Sequence, residues 1–139
     1  MSPTTPTPDG GWQGEGLVLL VDDEVTVRSV GQRMLERLGF RVLAVEDGEQ
    51  AVAALREHGT EVVAVVLDMT MPRLSGEQTF HQLRHTCPGV RVLLTSGYSQ
   101  QDAMDRFAAQ GSAAFLQKPF QLADLRDKLR VLLEGGSAM

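Results

Sequence analysis

This 139-residue chain has little of several things, and each scarcity closes off a class of protein. Its single cysteine, Cys87, leaves no partner for an internal disulfide, and no stretch has the basic, apolar and small-residue order of a secretory signal. A reducing cytoplasm is the expected compartment, with Cys87 a structural thiol. No apolar run approaches the length of a membrane span, so a soluble chain without membrane insertion is expected. Basic residues are also short: 13 Lys and Arg stand against 18 Asp and Glu, a formal net charge of −5. That balance argues against direct nucleic-acid binding, while leaving small phosphorylated ligands open.

What the chain does have is a body between two poor ends. The opening MSPTTPTPDGGWQGEG, residues 1–16, is rich in proline and glycine with only Trp12 as a large apolar group, and reads as a disordered tail or linker. At the other end Gly135 and Gly136 stand where a helix would stop, which makes 135–139 a flexible terminus and 17–134 one domain. No second domain is expected after Leu133.

Within 17–134 the apolar pattern switches between short continuous runs and helical spacing. Five runs predict strands: Leu17–Val21, Arg41–Val45, Val62–Leu67, Arg91–Thr95 and Ala113–Leu116. Their apolar residues are consecutive rather than alternate, so both faces must be covered, as in a parallel sheet between helices. Val27, Val30, Met34, Leu35 and Leu38 predict the first helix, closed by Gly39. Further helices are expected at Gly48–Glu57, Gly76–Thr86, Gln100–Gln110 and Leu122–Leu133. Strand and helix alternate five times, which gives an α/β, doubly wound open sheet with right-handed crossovers.

In such a sheet ligands sit beyond the carboxyl ends of the strands, so the residues there form a functional map. After the first strand come Asp22, Asp23 and Glu24; after the third, Asp68; after the fourth, Ser96; after the fifth, Lys118-Pro119. Crowded carboxylates repel one another unless a cation neutralises them, and hard oxygen donors suit Mg²⁺ (or Mn²⁺) completed by phosphate oxygens. Asp68 stands alone at its strand end and is the candidate nucleophile for a phosphoryl group, with Lys118 as fixed charge and Ser96 as hydroxyl donor. His81 and His85, four apart on one helix, have no third ligand in view and read as a solvated face. His58 reads as a helix C-terminal residue complementing the dipole. A phosphatase of the haloacid dehalogenase type would want an aspartate two residues after its nucleophile, where Thr70 stands.

These residues, in this order, resemble the receiver domain of two-component response regulators. The resemblance rests on Asp22-Asp23, LDMTMPRLSG around Asp68, Ser96-Gly97 and Lys118-Pro119, and covers nearly all of Leu17–Leu133. It implies a flavodoxin-like (βα)5 fold with strand order 2-1-3-4-5. It implies Asp68 as phosphoacceptor and a metal held by the acidic pair Asp22 and Asp23, by Asp68 and by the backbone oxygen of Thr70. Ser96, Lys118 and Phe115 become the phosphate-binding and switch residues, Thr70 and Tyr98 tune the phosphoryl lifetime, and Lys118-Pro119 is a cis peptide. The implied donor is a histidine kinase or histidine phosphotransfer protein. The implied output is a change in the face made by the fourth predicted helix, the fifth strand and the fifth helix, offered to a downstream protein or to a second phosphorylated copy as a dimer. Such a chain catalyses only its own phosphorylation and dephosphorylation, and is not an enzyme acting on other substrates. Phe115 replaces the commoner tyrosine and has no hydroxyl to present. The phrases LLTSGYS and FLQKPF are similar to receivers appended to hybrid histidine kinases.

Overall fold

The computed structural model describes residues 14–68, 76–96, 113–118 and 120–135. Five strands appear: β1 (Leu17–Val21), β2 (Arg41–Val45), β3 (Val62–Asp68), β4 (Val92–Ser96) and β5 (Ala113–Gln117). All pair in parallel, in the order β2-β1-β3-β4-β5. Helices α1 (Val25–Arg37), α2 (Gly48–His58) and α3 (Gly76–Thr86) connect or follow the strands, and a C-terminal helix (Leu122–Arg130) runs into a π-helical turn at Val131–Gly135. The helix expected at Gln100–Gln110 lies outside the described residues. No helix among the described residues is long and apolar enough to cross a membrane.

The consecutive apolar runs are explained by two cores, one on each face of the sheet. Side chains alternate along a strand, so Leu19 and Val21 join Ala51, Leu55, Phe80, Leu83, Leu94 and Phe115 beneath α2 and α3. Val18 and Leu20 join Leu35, Leu38, Leu93, Leu125, Leu129 and Leu132 beneath α1 and the C-terminal helix. Every residue of β1 is buried, whereas edge strand β2 is only partly so. Cys87 packs, half-buried, against the first of these cores.

Two expectations shift in detail. Val30, assigned by spacing to the buried stripe of α1, is 44% exposed, and Gly31 is buried instead. An added Cβ at Gly31 would lie 3.3 Å from Leu20 Cδ2, so the helix approaches β1 where its side chain is smallest. The tail boundary set by composition at Leu17 also falls inside the packed body. Gly14 N–H donates to Leu38 O at 2.6 Å, and Arg41 N–H donates to Gly16 O at 2.9 Å. Gly16 has φ +109°, and a Cβ there would lie 2.6 Å from Cγ1 of Val63, the residue skipped where the β1–β3 register shifts. Composition cannot register such contacts, because they are made by backbone groups.

The end of α1 follows the expected closure. Gly39 has φ 106°, its N–H donates to Glu36 O, and Phe40 N–H donates to Leu35 O, while Phe40 and Leu35 share a core. This is the Schellman arrangement, which needs a residue at ease in the left-handed region. At α2, Asp47 caps the N-terminus by accepting from Gln50 N–H at 2.8 Å. Gly39→Ala is expected to lower stability by about 1–2 kcal/mol in urea unfolding, whereas Gly89→Ala, with nothing near its added Cβ, should change it by less than about 0.5 kcal/mol.

Candidate functional site

The carboxyl edge of the sheet is where the charges meet. β1 ends at Val21 and delivers Asp22, whose N–H donates to Val45 O of the neighbouring β2 at 3.2 Å. The chain then turns at once into α1: Glu24 N–H donates to Asp22 Oδ1 at 2.9 Å, and Arg28 Nη1 donates to Asp22 O at 2.7 Å. Glu24 is the N-cap residue of α1 but makes no side-chain capping bond. The third strand runs one residue further than the apolar run predicts, so that Asp68 is its last paired residue, in register with Thr95. Thr95 Oγ1 donates to Leu67 O at 3.5 Å beside it.

Asp22 and Asp68 are 3% and 2% exposed. Lys118, the residue after β5, bridges them, with Nζ 3.2 Å from Asp22 Oδ2 and 3.3 Å from Asp68 Oδ1. Asp23, half-buried, completes a triad in which Asp22, Asp23 and Asp68 offer carboxylate oxygens all within 4.8 Å of one another. Two like charges about 4 Å apart repel by roughly 4 kcal/mol at an effective dielectric near 20. One ammonium cannot offset three carboxylates, and the cluster is left with unbalanced negative charge.

The titration of the groups follows. Burial pushes the Asp22 carboxyl above its ordinary range and the charge of Asp68 adds to this, against the opposing Glu24 N–H and Lys118 contacts. Burial alone would favour the neutral Lys118 amine, but the charges of Asp68 and Asp22 outweigh it, and its pKa is raised. The ammonium is therefore held charged where it lies. Three hard oxygen ligands with surplus negative charge fit a divalent cation of the Mg²⁺ kind.

The remaining candidates are placed unevenly. Ser96 ends β4 opposite Gln117, one residue beyond the Asp68–Thr95 pair; its side chain lies outside the described residues. Phe115 is 3% exposed and faces the core shared with Phe80 and Leu83. Thr70, Tyr98 and Pro119, with the expected cis peptide, lie outside the described residues. His81 and His85 are exposed on α3. Arg28 was not among the sequence candidates; the available signal was a long basic side chain six residues after Asp22 on an adjoining helix.

A parallel five-stranded sheet ordered 2-1-3-4-5, with an acidic triad and a lysine at its carboxyl edge, defines a flavodoxin-like module with a crevice suited to a cation and a phosphoryl group. Residues 18–130 match the family model of the response regulator receiver domain, and the chain belongs to that family. It is thus a receiver domain of bacterial two-component signalling. The chain is 36% identical over 121 residues to the sensor kinase CckA of Brucella abortus, a match covering 87% of this chain and 13% of that protein. It is 31% identical to the chemotaxis protein CheY of Bacillus subtilis, over 75% of this chain and 86% of that protein. The receiver domain of the sensor histidine kinase PA1611 of Pseudomonas aeruginosa, solved with magnesium in its active-site cleft, superposes with TM-score 0.76 at 27% identity, covering 86% of this chain and 98% of that one. The chain spans about half the length of the transcriptional regulators it also matches.

Because the folded pKa of Asp22 is raised, the stability it contributes is full below its unfolded value near 3.8 and is lost as pH rises through the folded value. Asp22→Asn in divalent-free buffer is therefore expected to stabilise the fold at pH 7 by about 1 kcal/mol. That gain should shrink toward zero as pH falls below about 4, which urea unfolding across pH will show.

Proposed function

We propose that this receiver takes a phosphoryl group from a phosphohistidine onto Asp68, in a cytoplasmic phosphorelay. The observation that carries the reading is the Lys118 ammonium set between Asp22 and Asp68, with a third carboxylate beside them. Asp68 Oδ attacks phosphorus as the bond to the donor imidazole nitrogen breaks, and that nitrogen keeps the electron pair. Lys118, already charged, offsets the negative charge on the transferring oxygens without having to move a proton. Asp22, Asp23 and Asp68, with the backbone oxygen of Thr70, would hold Mg²⁺ or Mn²⁺, which when bound supplies the missing positive charge and a template for phosphate oxygens.

The donor is a histidine kinase or histidine phosphotransfer protein, and the chain catalyses only its own phosphorylation and dephosphorylation. Once phosphorylated, Ser96 closes on the phosphoryl group, while Phe115, expected to turn inward with it, already packs in the core beside Phe80 and Leu83. This shifts the population of the face that carries β5 and the C-terminal helix toward a state that binds a downstream protein or a second copy. Thr70 and Tyr98 govern water access, and Tyr98 lengthens the lifetime.

Incubation with acetyl phosphate and Mg²⁺ should add the mass of one phosphoryl group, and Asp68→Asn should abolish it. Lys118→Ala should slow labelling about a hundredfold, and Tyr98→Ala should speed loss of the label. Failure of the wild-type chain to form either this adduct or a beryllofluoride adduct would mean a receiver that binds partners without phosphate. Continuous release of phosphate from acetyl phosphate, with no adduct accumulating, would mean a phosphatase.

A further inference from the structure

Arg28 lies half-buried on the first turns of α1, at the rim of the acidic crevice, yet among the described residues its guanidinium makes no ion pair with a carboxylate. Nη1 instead donates at 2.7 Å to the backbone oxygen of Asp22. Asp22 is thereby tied from three sides: to β2 through its own N–H, to its turn through its carboxylate, which accepts from Glu24 N–H, and to α1 through its carbonyl, the oxygen of the Asp22–Asp23 peptide, which accepts from Arg28. The backbone tie of α1 runs through the same residue, since Arg28 N–H donates to Glu24 O at 2.8 Å.

The consequence falls on Asp23. Lys118 contacts Asp22 and Asp68, and no ion pair to Asp23 is found among the described residues. Its carboxylate is nonetheless held within 4.8 Å of the other two, against their repulsion. With no ion pair on that side chain among the described residues, its placement depends on the peptide that carries it, and the oxygen of that peptide is the one Arg28 holds. A short bond from a charged donor to a carbonyl resists rotation of the peptide plane more than a neutral one does. The fork of the guanidinium reaches back along the helix in a fixed geometry that a lysine ammonium does not reproduce.

We propose that Arg28 is a positioning residue for the acidic pair, holding the Asp22–Asp23 peptide so that the Asp23 carboxylate faces Asp68 and the crevice binds a divalent cation. This rests on the divalent-cation reading given above. Arg28 bonds the backbone oxygen of Asp22 and not a carboxylate, so its loss should act on cation affinity and not on the transfer step once the cation is bound.

The test is titration calorimetry of the unphosphorylated chain with Mg²⁺, paired with acetyl phosphate labelling over a range of Mg²⁺ concentrations, for wild type, Arg28→Met and Arg28→Lys. In Arg28→Met the Mg²⁺ dissociation constant should rise about tenfold, the effect usual for partners that orient metal ligands. The labelling rate at saturating Mg²⁺ should stay within about twofold of wild type. Arg28→Lys should recover part of the affinity, and it carries the comparison alone if Arg28→Met lacks a cooperative unfolding transition. An unchanged dissociation constant in a folded variant overturns the proposal, as does a loss of rate that saturating Mg²⁺ does not restore. A wild-type chain that binds no Mg²⁺ overturns the divalent-cation reading, and this inference with it.

Discussion

Three carboxylates share one edge of the sheet with a single lysine, and the rest of the structure is arranged around that imbalance. Repulsion among Asp22, Asp23 and Asp68 would drive them apart if they stood on flexible chain. They stay together because each is attached to something stiff. Asp68 is the last residue of a strand hydrogen-bonded on both sides, Asp22 follows directly on the most buried strand, and Lys118 follows β5. The two apolar cores supply the free energy that keeps these strand ends in place. The cost of the charges is borne locally, as the raised pKa of Asp22 shows.

The pairing pattern explains why distant parts of the sequence meet. The ammonium of Lys118 is 96 residues from Asp22 in the chain, but β5 and β1 end on the same side of one parallel sheet. A parallel sheet forces this, because every crossover returns the chain to the opposite edge before the next strand begins, and all carboxyl ends point one way. The loops at that edge are free to carry charge and hydroxyl, while the opposite edge carries closures such as Gly16 and Gly39, whose role is to turn the chain.

Much of this was legible in the residues. Continuous apolar runs located all five strands to within a residue, because burial on both faces removes the alternation that would otherwise obscure them. Helix spacing was less reliable at its margins. Val30 fits an apolar period but sits on the flank of α1, and a glycine takes the contact with β1 because close approach, not hydrophobicity, decides that position. Asp68 was placed one residue past its strand and belongs to it, since a charge ends an apolar run but does not break a hydrogen-bonded ladder.

By itself, the sequence determined the order of elements and the residue types that stand at each strand end, because both follow from local pattern. Tertiary structure alone decided which of the acids the lysine reaches, how close the third carboxylate lies, and that Arg28 grips the backbone of Asp22 and not a side chain. Those outcomes depend on distances of a few ångströms between segments that no local pattern relates, and they are fixed only when the sheet has closed its register and the helices have settled on its faces.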